Sequence, residues 1–177
     1  HEFHMIHEYP LEGKPPMMTH IFENNHQERI IAAKGAAEAI LAVCNLNEED
    51  KTLLRKEIKR LGQQGYRLLG VAKSNFVGNN FPAKQQDFEF EFLGFTIFYD
   101  PPKQGIQEVF HQIYDAGIKV KVITGDNEDT TNAIATQAGI LNQSPAMNGA
   151  DIMMNSDQDN LKISRETTLF TRMFPEA

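Results

Sequence analysis

The chain has 177 residues, 41% of them hydrophobic, which is enough to build the core of one large or two small domains. Its formal net charge of −7 argues against nonspecific binding of nucleic acid, because the summed field repels a polyanion. A lone cysteine excludes an internal disulfide and, with the lack of a charged leader before an apolar core, predicts a cytoplasmic location.

The histidines and the cysteine of the N-terminal part are not expected to carry chemistry. His1, His4 and His7 recur every third residue, which suits neither one face of a strand nor a helical pair, so we predict no metal site. Cys44 ends a short predicted helix with the sequence AAEAILAVC. We expect it to be a small buried hydrophobic residue rather than a nucleophile.

The first half of the chain predicts an antiparallel sheet with flanking helices. Thr19 to Phe22 and Arg29 to Ala33 flank a polar ENNHQE turn, which is typical of a hairpin, and this hairpin leads into Lys34. Asn47 then precedes three acidic residues and an apolar stripe, the pattern of a capped helix. A strand is expected from Tyr66 to Ala72.

The middle of the chain predicts a loop, a strand and a joint between two domains. Lys73 to Asp87 is polar and rich in Gly, Asn and Pro without any period, as in a surface loop. Phe88 to Phe98 is expected to be a strand, and Asp100-Pro101-Pro102 follows it as a stiff joint, because proline fixes its own backbone torsion. We therefore predict a boundary near Tyr99, with domains of residues 1–98 and 99–177.

The last third of the chain predicts a helix, a strand and a second helix. Apolar residues recur at helical spacing from Gln104 to Asp115. The apolar run from Gly117 to Thr124 predicts a buried parallel strand. Asn127 or Asp129 is expected to cap the next helix, which runs through Ala138.

Thr124-Gly125-Asp126 is the turn at the end of that predicted strand. In a doubly wound sheet, ligands meet the chain at the carboxyl ends of the strands. A hydroxyl, open backbone amides and a carboxylate converge there, which favours a phosphate site. A glycine-containing turn without any ligand is the alternative.

Several segments, in order, are similar to motifs of P-type cation-transporting ATPases. Lys34-Gly35-Ala36-Ala37-Glu38 resembles KGAPE, with Ala37 where proline is usual, and Gly65 to Ala72 resembles G-x-R-x-L-x-x-A. Asp100-Pro101-Pro102-Lys103 with the later AGIKVKVITGDN and AIATQAGI resembles the hinge and phosphorylation region, and Phe170 to Glu176 resembles FARVSPE. Because order and spacing agree over nearly the whole chain, the resemblance is specific.

Two motifs of that family are absent from this sequence, namely DKTGT with the phosphorylated aspartate and the magnesium-binding GDGxNDxxAL. The longest apolar runs are far below the roughly 18 residues that span a bilayer. The resemblance thus implies a soluble piece of a pump at the cytoplasmic face of a membrane, without membrane contact of its own. The implied fold is an antiparallel sheet with flanking helices, joined to a partial doubly wound, haloacid dehalogenase-like parallel α/β part.

The resemblance assigns ATP contacts to the first domain. Tyr9, in the pair Glu8-Tyr9, stands where the family stacks adenine on an aromatic residue. Lys14, Lys34 and Arg67 stand at positions of nucleotide-contacting cations, and Gly35 is expected to let the nucleotide approach the backbone. The alternatives are an ordinary strand residue for Tyr9, a solvated charge for Lys34 and a surface ion pair for Arg67.

In the second domain, the resemblance implies that Thr124 donates its hydroxyl to the transferring phosphoryl group and Gly125 a backbone amide. Asp126 would act through Mg²⁺ or a sugar hydroxyl, because a carboxylate alone repels phosphates; its alternative is a helix cap. Arg172 would contact the nucleotide or Asp126, or form an ordinary ion pair. The hinge would order the two domains around ATP through Asp100, Pro101, Pro102 and Lys103.

The intact pump implied by the resemblance transfers a phosphoryl group from MgATP to an aspartate and couples this to cation movement across a membrane. Its partners are ATP and the transmembrane and actuator domains of the same pump, and most Mg²⁺ ligands lie outside this chain. We expect the chain itself to bind ATP weakly without turnover. The DPPK and KGAAE forms favour calcium-type or related alkali-cation pumps.

Two other functions stay open from the sequence. A haloacid dehalogenase-like phosphohydrolase fits the strand-to-TGD turn, although the chain lacks a DxDx(T/V) nucleophile motif. A regulatory or interaction module without any ligand is the other alternative.

Overall fold

The computed structural model of the chain describes residues 2–13, 15–141 and 144–174. The strands are β1 (His4–Glu12), β2 (Met17–Glu23), β3 (Arg29–Ala36), β4 (Arg67–Ser74), β5 (Phe90–Phe98), β6 (Val122–Ile123), β7 (Met147–Asn148) and β8 (Leu169–Thr171). The helices are α1 (Ala37–Val43), α2 (Glu48–Gly62), α3 (Ile106–Asp115), α4 (Glu128–Ala138), α5 (Gly149–Met154) and α6 (Asp157–Glu166), with a turn of 3₁₀-helix at Gln85–Asp87.

The chain divides into two compact units. The first consists of residues 1–58 and 68–97, and the second of residues 59–67 and 98–177. Each of the two units contains one sheet, five-stranded in the first and three-stranded in the second. The mixed α/β architecture, with an antiparallel sheet and flanking helices, agrees with the fold expected from the sequence.

The sheet of the first unit has the strand order β1-β2-β3-β4-β5. The strands β2 and β3 form the predicted antiparallel hairpin, paired from Glu23↔Arg29 to Met17↔Gly35, which confirms that prediction with longer strands. Buried and exposed residues alternate along β3, so one face of the sheet is covered and the other is open. The covered face packs against α1, where Ile40 lies on Gly70 so closely that a Cβ there would meet it at 2.6 Å.

Aromatic side chains build much of the first unit's core. Phe88 makes edge-type contacts with Tyr9 and Phe76, with ring centroids 5.6 Å apart in both cases. Cys44 belongs to the same core, and its burial raises the pKa of the thiol to about 11. The prediction of a buried cysteine at the end of a short helix is therefore confirmed.

The capping residue of α2 is the predicted one. The side-chain oxygen of Asn47 accepts a hydrogen bond from the backbone N–H of Asp50 at 2.8 Å. Three acidic residues occupy the first turn of α2, and Lys59 and Arg60 its last turn, so both ends complement the helix dipole. Gly65, with φ of 86°, turns the chain toward β4.

The second unit contains a small parallel sheet of order β6-β8-β7. The predicted helices are present as α3 and α4. Asn127 is the cap of α4, since its side chain accepts from the Thr130 N–H at 2.9 Å, and the helix ends at Gly139 with φ of 77°. Of the two proposed caps, the structure thus selects Asn127 over Asp129.

The prediction of a long buried strand from Gly117 to Thr124 is wrong in length and in burial. Only Val122–Ile123 forms a strand, and Ile118 and Ile123 are 56% and 69% exposed. A parallel strand is buried only when it has neighbours at both edges and cover on both faces. Among the described residues, β6 pairs with β8 alone.

None of the helices within residues 2–13, 15–141 and 144–174 has the length and apolarity needed to cross a membrane.

Candidate functional site

Lys34 projects from the open face of the first unit's sheet. It lies between Met18 of β2 and Val71 of β4, its register partners on either side. Directly opposed residues share a face of the sheet, so these two partly buried apolar side chains flank the lysine. Lys34 is exposed and forms no ion pair with any residue that the structure describes. It is an available cation on an apolar surface.

Leu69 adds to the same surface. It is the register partner of Ala36, two residues beyond Lys34 on β3, and it is 37% exposed. Leu69 is the leucine of the G-x-R-x-L-x-x-A segment, but neither it nor Met18 or Val71 was predicted to be a site residue. The alternation within GYRLLGVA was the available signal, since it puts residues 69 and 71 on the face opposite the buried residues Leu68, Gly70 and Ala72.

Tyr9 lies on the opposite face of the sheet from Lys34. It pairs with Thr19, whereas Lys34 pairs with Met18, and consecutive residues of one strand point to opposite faces. Tyr9 is only 6% exposed, and its hydroxyl donates to the carbonyl of Pro82 at 2.6 Å. Burial, and then the charge of Asp87, raises the pKa of Tyr9. The structure therefore does not bring the predicted stacking residue together with the predicted lysine.

Gly35 makes room for the chain's own backbone. A Cβ on Gly35 would lie 2.6 Å from the Pro16 carbonyl oxygen and from the Cα of Met17. The space that we expected a nucleotide to use is therefore filled by β2. Lys14 lies outside the described residues.

The turn at Thr124-Gly125-Asp126 is fixed by backbone bonds in the second unit. The N–H of Thr124 donates to Phe170 at 3.0 Å, and its carbonyl accepts from Met173 at 2.9 Å. The hydroxyl oxygen of Thr124 accepts from the Asp126 N–H at 3.1 Å, so its own proton stays available for donation. Gly125 is exposed. This turn can present a hydroxyl proton and an open backbone to an anion.

Arg67 and Asp126 form an ion pair within the second unit. Both Nε and Nη2 of Arg67 lie on the same carboxylate oxygen, Oδ1, at 2.9 and 2.8 Å. The arginine side chain is 56% exposed and the aspartate 23%. Two predicted site residues are thus brought together, and the carboxylate of Asp126 is used in this pair while Asn127 serves as the helix cap.

Arg172 is connected to the same turn through its backbone. Its N–H donates to the carbonyl of Asp126 at 2.9 Å, and its φ of 50° is unusual for a residue with a side chain. Gly149 approaches closely, since a Cβ there would lie 2.6 Å from the Arg172 carbonyl oxygen. The backbone at 172 is therefore tightly determined by its neighbours.

The predicted hinge residues lie in an irregular segment before α3. Asp100, Pro101 and Lys103 are exposed, and the carbonyl of Lys103 accepts from the Ile106 N–H at 3.2 Å. Pro101, Pro102 and Lys103 line a groove of about 500 Å³ together with the first turn of α3 and Gln137. No cluster of three or more His, Cys, Asp or Glu side chains suited to a metal occurs within the described part of the chain.

Comparison with known proteins identifies the family. The chain matches the family described as P-type ATPase, cytoplasmic domain N, over residues 1–105. It is 31% identical over 187 residues to the magnesium-transporting ATPase, P-type 1, of Escherichia coli K12. This alignment covers 96% of this chain and 20% of that protein. It is 26% identical over 186 residues to a calcium-transporting ATPase of Bacillus subtilis, with 98% of this chain and 21% of that protein covered.

A third relative is the sodium/potassium exporting P-type ATPase 1 of Saccharomyces cerevisiae, 30% identical over 163 residues, with 79% of this chain and 15% of that protein covered. The chain spans at most about a fifth of the length of these curated relatives. The match over residues 1–105 includes β1 to β5 and the KGAAE segment. On this match the chain belongs to the family of P-type cation-transporting ATPases.

Proposed function

We propose that this chain is the ATP-binding cytoplasmic part of a P-type cation-transporting ATPase, and that the triphosphate binds at Lys34. The observation that carries this proposal is an exposed lysine without an ion-pair partner among the described residues, on an open sheet face. An ammonium group that no carboxylate neutralises keeps its full charge for phosphate oxygens.

The apolar surface around Lys34 supports a site for the base. Met18, Val71 and Leu69 lie on the same face as the lysine, and an adenine ring favours an apolar platform beside the cation that holds its phosphates. The stacking role of Tyr9 stays a prediction. It requires the ring to leave the core and its bond to Pro82.

Residues 99–177, which make up most of the second unit, are proposed to be part of a haloacid dehalogenase-like, doubly wound phosphorylation domain, and residues 1–98 to form the nucleotide-binding part. The small parallel sheet supports it. Thr124 would donate its free hydroxyl proton, and Gly125 its backbone N–H, to the phosphoryl group. Arg67 offsets the charge of Asp126, which lowers the repulsion that an isolated carboxylate would exert on phosphates.

In the whole protein, the proposed reaction is phosphoryl transfer from MgATP to an aspartate, coupled to cation transport across a membrane. This chain contributes nucleotide binding, and Arg172 and the hinge residues 100–103 would order the site. The aspartate, most Mg²⁺ ligands and the transmembrane and actuator domains would come from the rest of the pump, with this part at the cytoplasmic face. Without the DKTGT motif, we expect the chain to bind ATP and release no phosphate.

The test is a titration of the 177-residue chain with MgATP, followed by amide chemical shifts. We expect millimolar ATP to shift the amides of Met18, Lys34, Leu69 and Val71 on the open face of the sheet. Lys34→Ala should weaken binding by about 10- to 100-fold, since a hydrogen bond to a charged group contributes roughly 1.5–3 kcal/mol.

The matched control is Lys56→Ala, which removes the same charge from an exposed position on α2. It should leave the affinity within the error of the wild-type value. Equal effects of both substitutions would mean that only the net charge matters, and absence of any shift at millimolar ATP would contradict nucleotide binding by this chain.

A further inference from the structure

Gln85 is a completely buried polar residue that the sequence analysis did not single out. It lies in the turn of 3₁₀-helix Gln85–Asp87, at the end of the long loop between β4 and β5, and it is 0% exposed. A buried amide is stable only when its donors and its acceptor are satisfied. Its partners therefore show what the residue holds in place.

The hydrogen-bond partners of the Gln85 side chain all belong to the β1–β2 hairpin. Its Nε2 lies 3.3 Å from the Pro10 carbonyl, 3.3 Å from Oε1 of Glu12 and 3.1 Å from the Met17 carbonyl. Its Oε1 accepts from the hydroxyl of Thr19 at 3.0 Å, which fixes the orientation of the amide. One side chain from a distant loop thus binds both arms of the hairpin.

These bonds are made where the hairpin's own pairing is interrupted. The register between β1 and β2 shifts between the pairs Tyr9↔Thr19 and Glu12↔Met17. Pro10 lies within this bulge and has no N–H for the ladder, and its carbonyl is one that Gln85 binds. Gln85 substitutes for missing strand-to-strand bonds next to the turn at Gly13, Pro15 and Pro16.

The same turn is joined to the segment that carries Lys34. The carbonyl of Pro16 accepts from the Ala36 N–H at 2.9 Å, and Pro16 and Met17 approach Gly35 on the side where any other residue would carry its Cβ. A displacement of the turn would therefore be transmitted to Lys34-Gly35 through backbone atoms in direct contact.

We propose that Gln85 is a positioning residue for the nucleotide site: it holds the β1–β2 turn against Lys34-Gly35 and so sets the position of Lys34 on the sheet. This inference rests on the proposed ATP-binding function. Gln85 lies on the covered face of the sheet with Thr19, opposite Lys34, so it acts through the backbone and not by touching the nucleotide.

The test compares Gln85→Met with Thr19→Val in the 177-residue chain. Methionine keeps the length and apolar volume of the side chain but loses every bond to the hairpin. Valine removes only the Thr19 hydroxyl and leaves the three contacts of Nε2. Thr19→Val controls for the loss of one buried hydrogen bond, whereas only Gln85→Met loses the bonds that hold the turn.

The first readout is amide exchange without nucleotide. In Gln85→Met, the Ala36 N–H should exchange about tenfold faster relative to the Asn45 N–H, which donates to Phe90 away from the turn. In Thr19→Val, the ratio of the two should stay at the wild-type value. Equal acceleration of both amides in Gln85→Met would overturn the positioning role.

The second readout is the affinity for MgATP, which should fall about tenfold in Gln85→Met and less than about twofold in Thr19→Val. If Gln85→Met accelerates exchange at the Ala36 N–H but leaves the affinity for MgATP unchanged, the link between Gln85 and the nucleotide site is overturned. A wild-type chain that does not bind ATP would overturn the proposed function, while the exchange ratio would still decide whether Gln85 holds the turn.

A milder variant keeps the test decisive if Gln85→Met does not fold. Glu12→Ala removes an exposed acceptor of the Gln85 amide at the end of β1. We expect the Ala36 exchange ratio to rise by about threefold, because the lost bond is the one at the end of β1, next to the turn, whereas Thr19 lies farther along β2. An unchanged ratio in a folded Glu12→Ala protein would overturn the proposal.

Discussion

Gly35 combines two requirements at one position, because it adjoins the proposed phosphate-binding lysine and also lies under the β1–β2 turn. We predict that Gly35→Ala destabilises the first unit by about 1–3 kcal/mol, the usual cost of forcing extra volume into packed structure. The physical reason is that the added Cβ would meet backbone atoms at 2.6 Å, and backbone cannot move away as a flexible side chain can. Urea unfolding followed by the shifts of β3 amides measures the effect.

Gly125→Ala is the control for that substitution. A Cβ at Gly125 would meet the Met173 carbonyl oxygen at 3.7 Å, an ordinary contact, so the same chemical change should cost less than about 1 kcal/mol. A Gly35→Ala protein as stable as wild type would show that the turn is not held closely against β3.

Tyr9 and Lys34 mark what the sequence could predict about the site and what it could not. The residue types needed for ATP were evident from the motifs. The face on which each side chain lies depends on strand register, which is set by pairing between strands, as the pairs Tyr9↔Thr19 and Met18↔Lys34 show. The pair of Arg67 and Asp126, 59 residues apart, likewise depends on tertiary contact.

At the scale of single elements, the residue after the TGD turn is Asn127, which caps α4, and the helix begins at Glu128. We predict that Asn127→Ala destabilises the second unit by about 1 kcal/mol, because the Thr130 N–H then loses the acceptor 2.9 Å away. Thr130 is fully buried and donates its hydroxyl to the Tyr66 carbonyl, so loss of the cap should also loosen that contact. Chemical denaturation with the Thr130 amide as the probe measures both effects.

Asp129→Ala distinguishes a cap from a general effect of charge at the start of the helix. Asp129 accepts only a long bond from Gln63 at 3.4 Å and stands in the first turn, where a carboxylate contributes about 0.3–1 kcal/mol through the helix dipole. If Asp129→Ala cost as much as Asn127→Ala, the cap assignment would lose its support.

Most helices and the β2–β3 hairpin could be predicted because their signals are local. The caps Asn47 and Asn127, the terminal Gly139 and the ENNHQE turn each act within a few residues. The length and burial of strand β6 could not be predicted in this way, because an apolar run determines only the preference for a strand. Those depend on which neighbours are present, and the exposed Ile118 and Ile123 show the result.

At the scale of the whole molecule, the two units differ in how much large apolar side chain each one buries. The buried hydrophobic residues of the first unit include Met17, Ile21, Ile31, Ile40, Leu41, Phe88 and Phe90, and those described in the second are Ala135, Ala138, Leu169 and Phe170. Because stability follows the apolar area removed from water, the second unit is expected to be the weaker one.

We therefore predict that the second unit opens at lower urea concentration than the first. The Val122 and Thr124 N–H groups, bonded to Thr168 and Phe170, report on the second unit, and the Ala36 and Asn45 N–H groups report on the first. Native-state hydrogen exchange should give the Ala36 and Asn45 amides of the first unit an opening free energy higher than that of the second unit's amides. The difference should be at least about 2 kcal/mol, the order of one fully buried large side chain.

The control is Ile123→Thr, which changes a residue that is 69% exposed and should leave the order of the two units' stabilities unchanged. One shared opening free energy for all four amides would mean that the chain unfolds as a single cooperative body, and that burial within each unit does not set its stability.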